Sequence, residues 1–241
     1  GGAGSLGVPY VKTYKIAANL QPSRDTVLSN VGDIQSDLET AISLMSTAFD
    51  TSTSYMTVQG AYAVWARAAL YFGAVDSSFY STAGAAAKWV IDNSSATPVS
   101  AAAFKASYYT DNASNSLFEL EATGTDNPSI NGLAYSFRGT SYGYYRILTG
   151  DDCAACGDDL YDIFAADAAT DVRFTVNGMI GIQQGEPTVI GKYPTANGSD
   201  NITIIRVEEM HLIYAEALLR AGNAAGAVSY THLTLPTGDL V

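Results

Sequence analysis

Apolar positions return at helical spacing in four stretches of this 241-residue chain. In the first, Val27, Val31, Ile34, Leu38, Ile42 and Met45 share one face, and Ser23 or Asp25 can cap the start, which predicts a helix ending near Met45. The polar run 46–54 reads as a loop. A second helix is predicted from Val58 to Phe72, with Val58, Ala61, Tyr62, Trp65, Ala69 and Phe72 on its face and Gly73 as its stop. After a short turn, a third runs from about Tyr80 to Asp92. Its alanines at 83, 86 and 87 permit close helix approach, and Val90 and Ile91 close the contact. The fourth lies in 204–227: Val207, Met210, Tyr214 and Leu218 form the stripe, Arg206–Glu209 and Glu216–Arg220 are spaced as helical ion pairs, and Gly222-Asn223 supply the stop. Helices joined in pairs by short turns, with small residues between them, predict a mainly α fold of tetratricopeptide-like hairpins.

Between the third and fourth helices the pattern changes. Residues 98–199 are rich in Gly, Asn, Asp, Thr and Tyr, with strand-like runs only at SLFELEA and TVIGKY. An irregular insertion of that length inside a helical scaffold is more often functional than decorative. The predicted organisation is therefore one domain over 1–227: helical at 23–92, an irregular insertion at 98–199, and helical again at 204–227.

Composition narrows the function. Charged residues make up 15% and hydrophobic ones 47%, which is the make-up of a chain with a packed core. The net charge of −12, from 24 acids against 12 bases with no basic cluster, argues against nucleic acid and against anionic lipid. No apolar run approaches the length of a membrane span.

The order Arg206, Glu209, Leu212, Ala215, Glu216, Ala217, preceded by Lys192-Tyr193-Pro194, resembles the carboxy-terminal signature of the SusD/RagB family. Arg24, Ile34, Asp37, Leu38 and Ala41 resemble that family's entry into its first helices, as do AYAVWARAALYFG and AGAAAKWVI farther on, and LYDIF followed by Asp171-Val172-Arg173. The resemblance implies a surface nutrient- and glycan-binding lipoprotein of the Bacteroidetes outer membrane. It would be non-enzymatic, would capture oligosaccharide for a SusC-like TonB-dependent transporter, and would be held by an amino-terminal lipid anchor that this chain lacks. It also implies that the insertion builds much of the glycan-binding face.

Within that insertion the segment SFRGTSYGYYRIL carries the candidate ligand-binding residues: Tyr142, Tyr144 and Tyr145 first, then Tyr135, Arg138 and Arg146. Sugars present apolar C–H faces rimmed by hydroxyls, so flat rings with hydrogen-bonding neighbours suit them. The alternative is that the tyrosines fill the core of an irregular subdomain and the arginines anchor the loop to carboxylates. Tyr108 and Tyr109 are weaker candidates of the same kind. Trp65 and Trp89 lie on helix stripes and read as core.

The acidic loop around Cys153 and Cys156 carries Asp151, Asp152, Asp158 and Asp159, which could gather about Ca²⁺ but lack EF-hand spacing; a solvated loop is the simpler reading, and no cofactor is otherwise implied. In an exported protein the CxxC pair reads as a local disulfide ahead of free thiols or metal. No nucleophile–base or metal constellation marks an enzyme, and His211 reads as structural. A helical-repeat scaffold for a protein partner, with contacts near Tyr62 and Tyr80, is the second functional reading.

Both ends carry expectations. The chain opens at Gly1-Gly2 without Met, which suggests a start lying upstream. Residues 228–241, with alternating Thr and β-branched residues and Pro236, are poor helix formers. The string SYTHLTLPT resembles a translated sequencing adapter, so 228–241 is expected to be a non-native tail. The fourth helix would then lack its hairpin partner and expose part of its stripe.

Overall fold

The computed structural model describes residues 2–13, 21–138, 145–147, 160–174, 178–183 and 185–234. Two compact units emerge, 1–94 with 209–232, and 95–208 with 233–241.

The first unit is helical. Helix α1 (Val27–Leu44) buries Val31 and half-buries Val27, Ile34, Leu38 and Ile42, as its periodicity predicts. Its cap is Thr26, whose side chain accepts from the Ser29 amide at 3.1 Å, rather than Ser23 or Asp25. Asp25 is taken by the preceding segment: its carbonyl accepts from the Gly7 amide and its carboxylate from that of Tyr10. Asn30, buried in the same helix, clasps that segment by both amide atoms, from Val8 N at 2.8 Å and to Val8 O at 3.1 Å.

Helices α2 (Val58–Phe72) and α3 (Phe79–Asn93) form a hairpin packed through Ala61, Ala63, Trp65, Ala66 and Ala69 on one side and Ala83, Ala86, Ala87 and Val90 on the other. Aromatic edges fill the turn, with Trp65, Phe72 and Phe79 mutually edge-on at 5.6–6.4 Å, while Tyr62 stacks on Trp89 at 3.8 Å. Trp65 is core as expected; Trp89 is half-buried beneath Tyr62.

The fourth of the predicted helices, α4, runs Val207–Arg220. Its residues from Glu209 onward bury Met210, Ile213 and Ala215. Glu209 does not pair with Arg206; it receives Arg67 of α2 in a two-pronged bond at 2.6 and 2.5 Å.

 It then forms the predicted Glu216–Arg220 pair at 2.6 Å, and Arg220 lies over the Tyr80 ring of α3 at 3.9 Å. Gly222, at φ 82°, makes the predicted stop, with Asn223 N returning to Leu218 O.

The chain then continues as α5 (Ala224–Thr234), which carries the helix past 227 into a segment whose residues are poor helix formers. Asn223 explains the start, since its side chain accepts from the Gly226 amide at 2.9 Å. Tyr230 stands edge-on to Tyr214 at 4.7 Å and lies 5.8 Å from His211, so the stripe of α4 is covered where exposure was expected. Tertiary contact outweighs the weak propensity of the Thr-rich segment. His211 is buried, in keeping with a structural role.

The second unit is built on two small sheets. Strand β1 (Ser116–Leu120) pairs antiparallel with β4 (Ile202–Arg206), Glu119 opposite Thr203 and Leu120 opposite Ile202; β2 (Gly181–Gln183) pairs with β3 (Glu186–Thr188). The helical reading of 204–206 is thereby corrected: the β-branched run ITII finds a partner strand more than 80 residues earlier in the chain. Of TVIGKY only the first residue is strand. A two-turn helix, Leu160–Ala166, lays Tyr161 and Phe164 on the buried residues Ile147, Phe174 and Ile180.

Asp171 and Arg173 close the turn after that helix with a 2.6 Å ion pair. The Arg173 side chain, against a smaller opposing effect of burial, holds the Asp171 carboxyl below its ordinary value of 3.8. A depressed folded pKa gives stability that is present above the unfolded value and lost as pH falls through the folded one. Asp171→Asn should therefore cost about 0.5–1 kcal/mol at neutral pH, small because Arg173 is open to solvent. Urea unfolding of the two proteins should converge as the pH is lowered toward about 2. A gap that persisted undiminished there would deny the pair its role.

Candidate functional site

The candidate residues of the insertion fall in the second unit. Tyr142 and Tyr144 lie outside the described residues, as do Asp151, Asp152, Asp158, Asp159, Cys153 and Cys156. Tyr145 is 60% exposed and stacks on Phe137 at 5.1 Å; Phe137 stacks in turn on Tyr193 at 5.6 Å. Phe137 ends a one-turn helix, Leu133–Phe137, on which Tyr135 is half-buried. The three rings form a continuous row whose outer member faces water.

The two arginines are structural anchors in this geometry. Arg138 donates through one guanidinium nitrogen to the carbonyls of Ile190, Tyr193 and Pro194, the last at 2.7 Å, so it anchors the loop to backbone carbonyls and not to carboxylates. Arg146 pairs with Glu186 of β3 at 2.9 Å, the carboxylate anchoring foreseen as the alternative for it. Both thereby tie the segment around the aromatic row to its surroundings.

Two cavities flank the row. On one side Phe137, Tyr145, Arg146, Ile147, Leu160 and Val189 line an apolar hollow of about 370 Å³. On the other, Tyr193 is one wall of a pocket of about 240 Å³ that is polar in character. Its other walls include Tyr108, Lys192 and Arg206, with Asp111, Glu119, Asn201 and Thr203. Asn201 is the hub of the polar wall: its amide donates to Asp111, its side chain donates to Glu119 at 3.0 Å, and its oxygen accepts from the Ala122 amide. The Arg206 guanidinium lies over the Tyr108 ring, 3.8 Å from its centre. Burial, and Tyr108 beside it, push the Tyr193 hydroxyl pKa upward, so Tyr193 stays a neutral hydrogen-bonding ring across the physiological range.

The sequence ranks Tyr108 low and treats Lys192, Tyr193 and Arg206 only as motif positions. One signal was present: Arg206 ends a β-branched run, so on a strand it faces opposite to the buried Ile205. Among the described residues no group of three His, Cys, Asp or Glu side chains is placed to hold a metal ion, and no helix is long and apolar enough to cross a membrane.

No family model and no curated protein matches the chain. Solved structures do. A SusD superfamily protein of Bacteroides thetaiotaomicron is 25% identical at a TM-score of 0.72, covering 95% of this chain and 50% of its own. A candidate sugar binding protein of Bacteroides vulgatus is likewise 25% identical, at 0.73, covering 94% and 49%. The chain belongs to the SusD superfamily. A SusD-like carbohydrate binding protein of Bacteroides vulgatus, 16% identical with a TM-score of 0.69, covers 98% and 50% and adds agreement in fold. The chain spans about half the length of these SusD structures. The mainly α architecture with minor strands agrees with a SusD-like fold.

Proposed function

We propose that this SusD-like chain is the glycan-capturing part of a nutrient-uptake system, without catalytic activity. The observation that carries the proposal is the aromatic row Tyr145–Phe137–Tyr193, which runs from an exposed ring to the wall of a polar pocket. An exposed tyrosine offers a stacking face to a sugar ring, and the pocket beside it offers hydroxyl, amide and cationic partners for sugar hydroxyls. A pocket of about 240 Å³ accepts roughly one sugar ring, with the rest of an oligosaccharide left along the row. The sugar- and carbohydrate-binding names of two solved relatives support the same ligand class. The protein would act at the outer face of the outer membrane, held by a lipid anchor, and hand its ligand to a SusC-like TonB-dependent transporter.

Recognition of this kind is shallow and mostly stacking, so single contacts are worth about 1 kcal/mol and act together. Alanine at Tyr142, Tyr144 and Tyr145 together should reduce retention in native affinity gels by roughly tenfold or more on a bound polysaccharide. Unchanged retention of the triple variant on a polysaccharide that holds the wild type would remove this segment from the site.

A further inference from the structure

In a chain with 24 acids and 12 bases, a cation has no shortage of carboxylates to meet. Six cations among the described residues do form ion pairs, including Arg67, Arg146, Arg173 and Arg220. Arg24 and Arg138 are instead consumed by backbone carbonyls. Lys192 and Arg206 share one pocket, yet neither side chain makes a hydrogen bond or ion pair among the described residues.

The two carboxylates in the same pocket are occupied elsewhere. Glu119 is 1% exposed and accepts from the Asn112 amide at 2.9 Å and from Asn201 Nδ2 at 3.0 Å. Asp111 accepts from the Asn201 amide at 3.2 Å. Neutral donors thus hold the acids in the wall and leave the two cations to the cavity.

A pair of solvated surface cations is the simpler alternative, and two features oppose it. Arg206 is held over the Tyr108 ring at 3.8 Å and its N–H donors make no hydrogen bond among the described residues, which leaves them for an acceptor with two oxygens. Although much of the Lys192 side chain is open to water, its ammonium is crowded at the pocket: burial first, and the Arg206 charge second, hold its pKa below the ordinary lysine value. A lysine free in solvent would show neither effect. Because neutral donors already engage the two carboxylates of the pocket, Lys192 and Arg206 are two neighbouring like charges without an ion-pair partner, a pair that an anion completes.

We propose that the pocket between Lys192 and Arg206 selects an acidic sugar residue, whose carboxylate or sulfate ester sits between the two cations while its ring lies against Tyr193. The proposal rests on the glycan-capture reading and adds the ligand class. It also gives an acidic chain a means to bind an acidic polymer: two cations without ion-pair partners meet the ligand at the pocket while the net charge is −12.

The test uses native affinity gels loaded with galacturonan, its methyl ester, a sulfated galactan or unsulfated galactan, and the full chain as wild type, Lys192→Gln and Lys192→Arg. Retention by an acidic polymer should exceed that by its neutral counterpart by about tenfold or more, the scale of one charge-assisted hydrogen bond. It should be lost in Lys192→Gln, kept in Lys192→Arg, and weakened by salt. Preference for galacturonan identifies a carboxylate ligand, and preference for the sulfated galactan a sulfate ester. Equal retention on acidic and neutral polymers, or an acidic preference untouched by Lys192→Gln, overturns the proposal and leaves glycan capture standing. Wild-type retention on none of the four overturns both.

Discussion

Gly84→Leu should destabilise the helical unit by about 3 kcal/mol, and Gly84→Ala by about 1 kcal/mol. Gly84 is buried in α3, and a Cβ built on it lies 2.7 Å from the Cβ of Ala217 in α4, with Tyr214 Cδ2 at 3.9 Å. Carbon atoms prefer separations of about 3.5–4.0 Å, so the two helices must part or shift to admit even one methyl. Alanine itself is the better helix former by about 1 kcal/mol, which offsets part of the strain of about 1–3 kcal/mol from overpacking. Leucine adds three more carbons with no further gain in propensity, so strain prevails.

Both tryptophans, Trp65 and Trp89, belong to this unit, so urea unfolding followed by tryptophan fluorescence reports on it specifically. Ala217→Gly combined with Gly84→Ala should recover most of the strain, a coupling that isolates the contact from helix propensity. Strict additivity of the two substitutions, or a Gly84→Leu protein as stable as wild type, would show that α3 and α4 do not meet at this point.

Gly84 also marks how far the sequence leads. Helix α2 is predicted to its terminal residues, and α3 to within one residue at each end, because period, small residues and the Gly73 stop agree there. The alanines at 83, 86 and 87 announce close packing, yet only the partner helix shows that the nearest approach falls on the glycine between them. Where a residue answers to something distant, local pattern misleads. Residues 202–206 become strand because residues 116–120 lie beside them. Thr26 caps α1 because Asp25 is held by residues before it. Residues 224–234 form helix because Tyr230 has Tyr214 to meet.

The candidate site follows the same division. An aromatic-rich segment near residue 140 is visible in composition alone, and Tyr145 lies where a ligand could reach it. That Arg138 is consumed by three carbonyls, and that Tyr193 joins the row from more than 50 residues away, depends on a loop whose path no local pattern encodes.

The pocket wall is tied together by Glu119, and Glu119→Ala should cost the second unit about 3 kcal/mol. The carboxylate is 1% exposed, and one of its oxygens accepts both the Asn112 amide and the Asn201 side chain. A hydrogen bond to a charged group contributes about 1.5–3 kcal/mol, and truncation leaves both donors without their acceptor. The full sum is not expected, because Asn112 is exposed and its amide can turn to water. Asn112 sits at φ 54°, a left-handed conformation that asparagine tolerates but does not prefer, and its bond to Glu119 helps to hold it there. Asn201 leads directly into β4, so releasing it should loosen the pairing of β4 with β1 and the pocket wall that Asn201 and Thr203 form. Because the chain has two units, a single unfolding curve would mix them. Amide hydrogen exchange resolves the effect: protection should fall at 116–120 and 202–206 by about a hundredfold, the equivalent of roughly 3 kcal/mol, and remain unchanged in α2 and α3. Glu119→Gln keeps an acceptor oxygen and should lose only about 1 kcal/mol. Unchanged protection at 116–120 and 202–206 in Glu119→Ala would mean that the carboxylate does not tie the turn to the strand.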